Sequence, residues 1–346
     1  MKVAYFLGCS AKSTCVELDV SVKTVADELG IDLAELDVAA RTGARQLRDS
    51  DEELFLTLNA RTLALAEKMG RDVMTVCATC FLNLREVNDR PRRDPELLKA
   101  INRNLAEVGL NYAGRSEVTH FLWVLLRDIG AETLAKRIVR PLRGLRVAPY
   151  YGCHILRPKD ALGFDGPDLP TSLDTLMRLL GAEPAAYDGE KRCCGFHVLM
   201  AKEDVALKLS GKRLMEAQQA EADCLVTTCP LCHTPFAPYQ SEAARTSGAR
   251  ADLPIIHLPR LLGLALGLDP KRLKLDGYVV STAPVLEKRV KRYARKSLLV
   301  TVDRIGGRGS ISATTPTKRR PCGRITVVDT REQWRDLALS ANIKTC

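Results

Sequence analysis

The chain has 346 residues, 46% hydrophobic and 27% charged, with twelve cysteines and a net charge of +10. This composition excludes an intrinsically disordered chain, and no apolar run reaches the 18 or so residues of a membrane span. The charge is not a nucleic-acid signature: residues 283–346 hold 15 Lys and Arg against 5 Asp and Glu, and the remainder carries 37 of each sign. A nucleic-acid site needs basic residues on a folded face with aromatics to stack bases. Only eight residues precede Cys9, too few for a signal peptide. Twelve cysteines then point to a reducing compartment, the cytoplasm, and to metal ligation in place of disulfides.

Val3 to Gly8 reads as a short buried strand that delivers Cys9 at its carboxyl end. Val16 to Leu29 shows helical spacing through Val16, Val20, Val25 and Leu29 and stops at Gly30. A second long helix starts at Asp51, runs through Lys68 and is closed by Gly70; Asp72 to Val76 is then a strand ending on Cys77. Asp94 to Val108 and Val118 to Ile129 are amphipathic and are expected to pack between the two halves of the chain. Downstream, Leu145 to Tyr151 is the predicted strand before Cys153, and Ser172 to Leu180 a helix ending at Gly181. Glu203 to Ala222 is a long helix, and Cys224 to Thr228 the strand feeding Cys229. From about Gly306 the sequence becomes rich in Gly, Ser, Thr, Pro and Arg, more linker than core. Within it Ile325 to Asp329 is a candidate strand and Arg331 to Leu339 a candidate helix. The alternation predicts an α/β fold with parallel strands, whose ligands gather beyond the carboxyl ends of the strands.

Five cysteines dominate the second half: Cys153, the pair Cys193 and Cys194 followed by Gly195, and Cys229-Pro230-Leu231-Cys232. Successive side chains of a strand point to opposite faces, so the pair needs a turn to act together, and Gly195 permits one. Pro230 suits the first turn of a helix, where no backbone N–H is required, and a helix starting there favours thiolate over thiol. Zinc takes four ligands in a closed site, leaving a thiol over; an iron–sulfur cluster suits the array better. An isolated Cys-x-x-Cys redox dithiol is a weak alternative. Cys224 is read as core, and Cys322 and Cys346 as ligating nothing.

The same frame appears upstream. Cys77-Ala78-Thr79-Cys80 lies 152 residues before Cys229 and Cys232, and that shift carries Cys193, Cys194 and Gly195 onto Arg41, Thr42 and Gly43. Cys9 answers Cys153 at a shift of 144, so an eight-residue insertion falls in the second half, most easily between Arg157 and Pro170. Val118-Thr119-His120-Phe121 is echoed by Ile255-Ile256-His257-Leu258. Chance cysteines do not keep register. The chain therefore divides into a first module, 1–140, lacking the cysteine pair, a complete second module, 141–282, and a basic tail, 283–346.

Gly152-Cys153, Cys193-Cys194-Gly195 and Cys229-Pro230-Leu231-Cys232 resemble the CCG domain of the heterodisulfide reductase B-subunit and its relatives, over about residues 1–280. The resemblance implies two pseudo-symmetric CCG modules with parallel strands and flanking helices. It implies a noncubane [4Fe–4S] cluster on Cys153, Cys193, Cys194, Cys229 and Cys232, and one-electron cleavage or formation of S–S bonds there. His154 and His197 flank these ligands as candidate catalytic groups for a departing thiolate, or as packing histidines. Cys9, Cys77 and Cys80 are candidate metal ligands of a second, altered cluster, with Cys15 a candidate fourth; the alternative is a first module that is scaffold only. The implied partners are a subunit with cubane [4Fe–4S] clusters, a flavin subunit and a lipoate-binding sulfur carrier, without nucleic acid. Loss of the first pair points towards the relatives in bacterial sulfur oxidation. The alternatives are a non-catalytic electron-transfer subunit, or a component of a lactate- or succinate-oxidising complex.

Overall fold

The computed structural model describes residues 1–276, 279–294, 300–301 and 312–313. The first half runs β1 (Lys2–Phe6), α1 (Gly8–Ser13), α2 (Val16–Leu29), β2 (Asp32–Glu35), α3 (Gln46–Ser50), α4 (Glu52–Lys68), β3 (Asp72–Thr75), α5 (Ala78–Arg93), α6 (Pro95–Ala106), β4 (Val118–His120) and α7 (Phe121–Trp123). A π-helical turn, Val124–Gly130, leads to α8 (Ala131–Arg137). The second half runs β5 (Arg146–Tyr150), α9 (Lys159–Leu162), α10 (Ser172–Leu179), β6 (Glu183–Pro184), α11 (Glu203–Gln219), β7 (Cys224–Thr227), α12 (Pro230–Phe236), α13 (Gln240–Ser247), β8 (Ile255–His257) and α14 (Leu258–Ala265). Helix α15 (Ala283–Ala294) follows.

Each half is a four-stranded parallel sheet, ordered β2-β1-β3-β4 in the first and β6-β5-β7-β8 in the second. The α/β fold of two pseudo-symmetric modules expected from the sequence is thus present. Strand β1 is buried from Val3 to Phe6 and β7 throughout, as a parallel sheet covered on both faces requires. Local chemistry sets the helix ends: the Asp51 carboxylate accepts from Leu54 N–H at 2.9 Å, and Gly30 closes α2 in the left-handed conformation.

The registers also locate the insertion. Thirty residues separate the paired residues Val3 and Leu33, whereas thirty-seven separate Val147 and Pro184. Most of the extra length therefore lies between the first two strands of the second half, the stretch containing α9. Three details depart from the sequence reading. Strands β2 and β6 were not foreseen; both are short, and β2 is only partly buried, so neither shows a strong apolar signal. Val118 to His120 forms a strand, with helix beginning only at Phe121. Helix α6 packs on α4 and α5 within the first half, not between halves.

The halves join reciprocally: α14, after the last strand of the second, packs on α2 of the first, and α7 and α8 pack on α10. The chain divides into a unit of Met1–Val285 and one of Leu286–Cys346. In the latter, Val300–Thr301 pairs antiparallel with Ser312–Ala313. The candidate strand and helix of the tail, with Cys322 and Cys346, lie outside the described residues. No helix among the described residues is long and apolar enough to cross a membrane.

Candidate iron–sulfur site

The parallel topology brings the cysteine-bearing turns together at the carboxyl ends of β1, β3, β5 and β7. Cys229 ends the segment after β7 and precedes α12, with Pro230 at the first helical position and Cys232 in the first turn. Its backbone N–H donates to Thr227 Oγ1 at 3.2 Å. The first half repeats this: Cys77 N–H donates to Thr75 Oγ1 at 3.4 Å, and Cys80 N–H donates to Cys77 Sγ at 3.5 Å. Both CxxC segments thus present sulfur at a helix N-terminus, where backbone N–H groups favour negative charge.

Glycines let the thiols approach. A Cβ on Gly152 would lie 3.1 Å from Cys232 Sγ, and one on Gly8 would lie 3.3 Å from Cys80 Sγ; both glycines have positive φ. Gly195 (φ +89°) turns the chain after the pair, and its N–H donates to Cys193 Sγ at 3.4 Å.

Hydrogen-bonding contacts link the sulfurs into one row: Cys153 to Cys193, Cys193 to Cys194, Cys194 to Cys232, Cys232 to Cys229, Cys229 to Cys77 and Cys77 to Cys80. The link between halves, Cys77 Sγ to Cys229 Sγ, measures 3.9 Å. Cys194, Cys229 and Cys232 are buried, Cys153 is half-buried, and Cys193 is exposed. No disulfide occurs among the described cysteines. Hydrogen bonds from Cys153 and Cys194 hold the Cys193 thiol far below its ordinary pKa. Burial would raise Cys229, but hydrogen bonds from Cys232, Cys77 and two backbone N–H groups pull it well below. Their neighbours Cys153, Cys194, Cys232 and Cys77 are pushed up, chiefly by those same sulfur contacts. So many mutually contacting thiols exceed the four ligands of one zinc and suit a polynuclear iron–sulfur centre.

The two histidines flanking the cysteines meet near the exposed Cys193, with ring centroids 4.8 Å apart. His154 Nδ1 shares a 2.9 Å hydrogen bond with the hydroxyl of Thr79, from the other half. Burial lowers the pKa of both rings, that of His154 to about 4, so both are neutral near pH 7. In the first half only Cys77 and Cys80 join the row. The one hydrogen-bond partner recorded for the Cys9 thiol among the described residues is Ser10 Oγ, at 4.0 Å. Cys15, the candidate fourth ligand there, lies instead with His233 and His257. Thr42, counterpart of Cys194, donates its hydroxyl to Cys80 Sγ at 3.6 Å. Neither Thr42 nor Thr79 stands out as a functional residue in the sequence, although the repeat register marks Thr42.

Fold and site together define an iron–sulfur oxidoreductase subunit built from two cysteine-rich domains. A model of the cysteine-rich (CCG) domain family matches residues 3–85 and 147–237. The chain is 39% identical over 280 residues to the 8-methylmenaquinol:fumarate reductase membrane anchor subunit of Wolinella succinogenes, covering 80% of this chain and 96% of that protein. It is 32% identical over 290 residues to the B-subunit of the ferredoxin:CoB-CoM heterodisulfide reductase of Methanosarcina mazei (83% and 96% covered). It is 30% identical over 295 residues to a protein of Archaeoglobus profundus described as like the heterodisulfide reductase B-subunit (84% and 98%). A hypothetical protein from Helicobacter pylori shares the fold at a TM-score of 0.63 and 17% identity; the match spans 81% of this chain and about half, 52%, of that one. The chain belongs to the heterodisulfide reductase B-subunit family.

Proposed function

We propose that this chain is the subunit of a heterodisulfide-reductase-like complex at which S–S bonds are cleaved or formed. The observation that carries the reading is the continuous sulfur row whose exposed member, Cys193, lies near two neutral imidazoles. Cys153, Cys193, Cys194, Cys229 and Cys232 would hold a noncubane [4Fe–4S] cluster, which supplies one-electron chemistry when bound. The residues around it would bind, orient and hydrogen-bond the sulfur substrate. With Thr79 donating to Nδ1 of His154, the neutral ring carries its proton on Nε2 and offers it as a hydrogen bond to a departing thiolate, the proton that thiolate takes up coming from solvent; His197 stands beside it. Reduction of one disulfide, persulfide or lipoate-bound sulfur consumes two electrons and two protons, and oxidation returns them. The electrons would pass to or from a partner with cubane [4Fe–4S] clusters and a flavin subunit, in sulfur oxidation with a lipoate-bearing carrier.

The test is iron and acid-labile sulfide analysis with EPR on the anaerobically purified chain, beside disulfide and persulfide turnover by the assembled complex carrying Cys193→Ser. About four irons per chain and lost turnover are expected. Zinc alone, or unchanged turnover in the variant, overturns the reading. The 39% identity to the Wolinella fumarate reductase subunit supports a second reading as an electron-transfer subunit of a fumarate- or succinate-linked complex. Fumarate reduction by the assembled complex, without disulfide turnover, would establish it.

A further inference from the structure

A second buried donor set lies at the junction of the two halves, apart from the sulfur row. Cys15, at the start of α2, His233 in α12 and His257 at the end of β8 each offer one ligand atom, and these atoms all lie within 4.8 Å of one another. Their relative exposures are 3%, 6% and 1%. The two imidazoles stack with centroids 4.2 Å apart. Neither ring nitrogen of His257 makes a hydrogen bond among the described residues, and its Nε2 is 3.8 Å from Glu17 Oε1.

The repeat shows that this polar set is not demanded by the fold. His120 occupies the register position of His257, pairing with Thr75 as His257 pairs with Thr227. Yet His120 is hydrogen-bonded at both nitrogens, to Leu122 N–H and to Thr228 O. Its neighbours Phe81 and Trp123 stand edge to face at 4.4 Å, where the second half has His233 and Arg260. One copy of the module fills the place with aromatic rings; the other sets His233 and His257 there against Cys15 of the first half, and His257 is buried with no hydrogen bond at either ring nitrogen among the described residues, which is costly.

We propose that Cys15, His233 and His257, with Glu17 as fourth ligand, bind one divalent transition-metal ion that ties the two halves together. Thiolate with imidazole suits zinc or cobalt. Ligands held at about 2.0–2.3 Å around one zinc stand roughly 3.5 Å apart, so side-chain rotation closes the set. Binding releases one proton, that of the Cys15 thiol. Arg260, buried and anchored by Nε donation to Leu273 O at 2.9 Å, faces the site with one positive charge. Thiolate and carboxylate together offset the dication, leaving only that charge.

The test is zinc and iron quantification on the anaerobically purified full chain, and cobalt exchange followed by absorption and X-ray fine structure. One non-iron ion per chain is expected, with a shell of one sulfur and three nitrogen or oxygen atoms. It should fall at least tenfold in Cys15→Ala and in His257→Ala, and stay in Cys9→Ser. His233→Phe copies the first half's Phe81, keeps the core filled and should also lose the ion. No zinc or cobalt bound by the wild type, a shell of three or four sulfurs, or an ion lost in Cys9→Ser but kept in Cys15→Ala overturns the proposal. Iron content and EPR of the same samples report on the sulfur row separately, so either site can fail alone.

Discussion

Gly195→Ala isolates what the turn after the cysteine pair costs. At φ +89° an alanine enters the left-handed region, which costs about 1–2 kcal/mol. Its Cβ would also lie 2.7 Å from Ala206 O and 2.9 Å from Ala206 Cα. These are backbone atoms at the start of α11, which no rotamer change can move aside. Overpacking of this kind costs about 1–3 kcal/mol, for a total of about 2–5 kcal/mol. Gly248→Ala is the matched control: φ is +75°, but nothing lies within 4 Å of the added Cβ, so only the backbone cost applies. At roughly 2–4 °C per kcal/mol for chains of 150–250 residues, the steric part separates the two melting points by about 2–12 °C. Anaerobic melting by circular dichroism measures this, and iron per chain reports whether Cys193 and Cys194 still converge. Equal melting points for the two variants, with full iron in Gly195→Ala, would refute the argument.

Burial, then the charge of Asp174, raises the Glu190 carboxyl to about 7. The native state therefore keeps a proton that the unfolded chain loses near its ordinary value of about 4.3. Stability is lost as pH rises from there through the folded value, and the loss is complete above about 7. Glu190→Gln removes this penalty, so its urea midpoint relative to wild type should climb between pH 5 and pH 8; a difference independent of pH would contradict the assignment. Asp51→Ala removes the carboxylate that caps α4 and should cost about 1 kcal/mol by denaturant titration, without changing iron content.

Periodicity and caps made most long helices legible. Val16 to Leu29 is helical as read, and the Asp51 cap precedes a helix that ends at Lys68. The repeat, not local propensity, made the paired architecture legible, because cysteine spacing survives where side chains diverge. What failed was short or long-range. Strand β6 has two paired residues and little apolar pattern, and the meeting of Cys15 with His233 depends on how α2 docks against the other half. The repeat alignment did hold a clue, since it sets His233 against Phe81 and Arg260 against Trp123.

The asymmetry between the halves has a physical reading in Thr42. In the second half the Cys194 thiol contacts Cys232; in the first, the Thr42 hydroxyl donates to Cys80 at 3.6 Å. Hydroxyl for thiol preserves the hydrogen bond and the turn but removes a soft donor, so the frame persists while its capacity for iron falls. Cys77 nonetheless keeps its sulfur 3.9 Å from Cys229. The first half thereby extends the thiol row of the second through Cys77 and Cys80. Cys77 and Cys80 form the buried end of the row, opposite the end at Cys153 and the exposed Cys193.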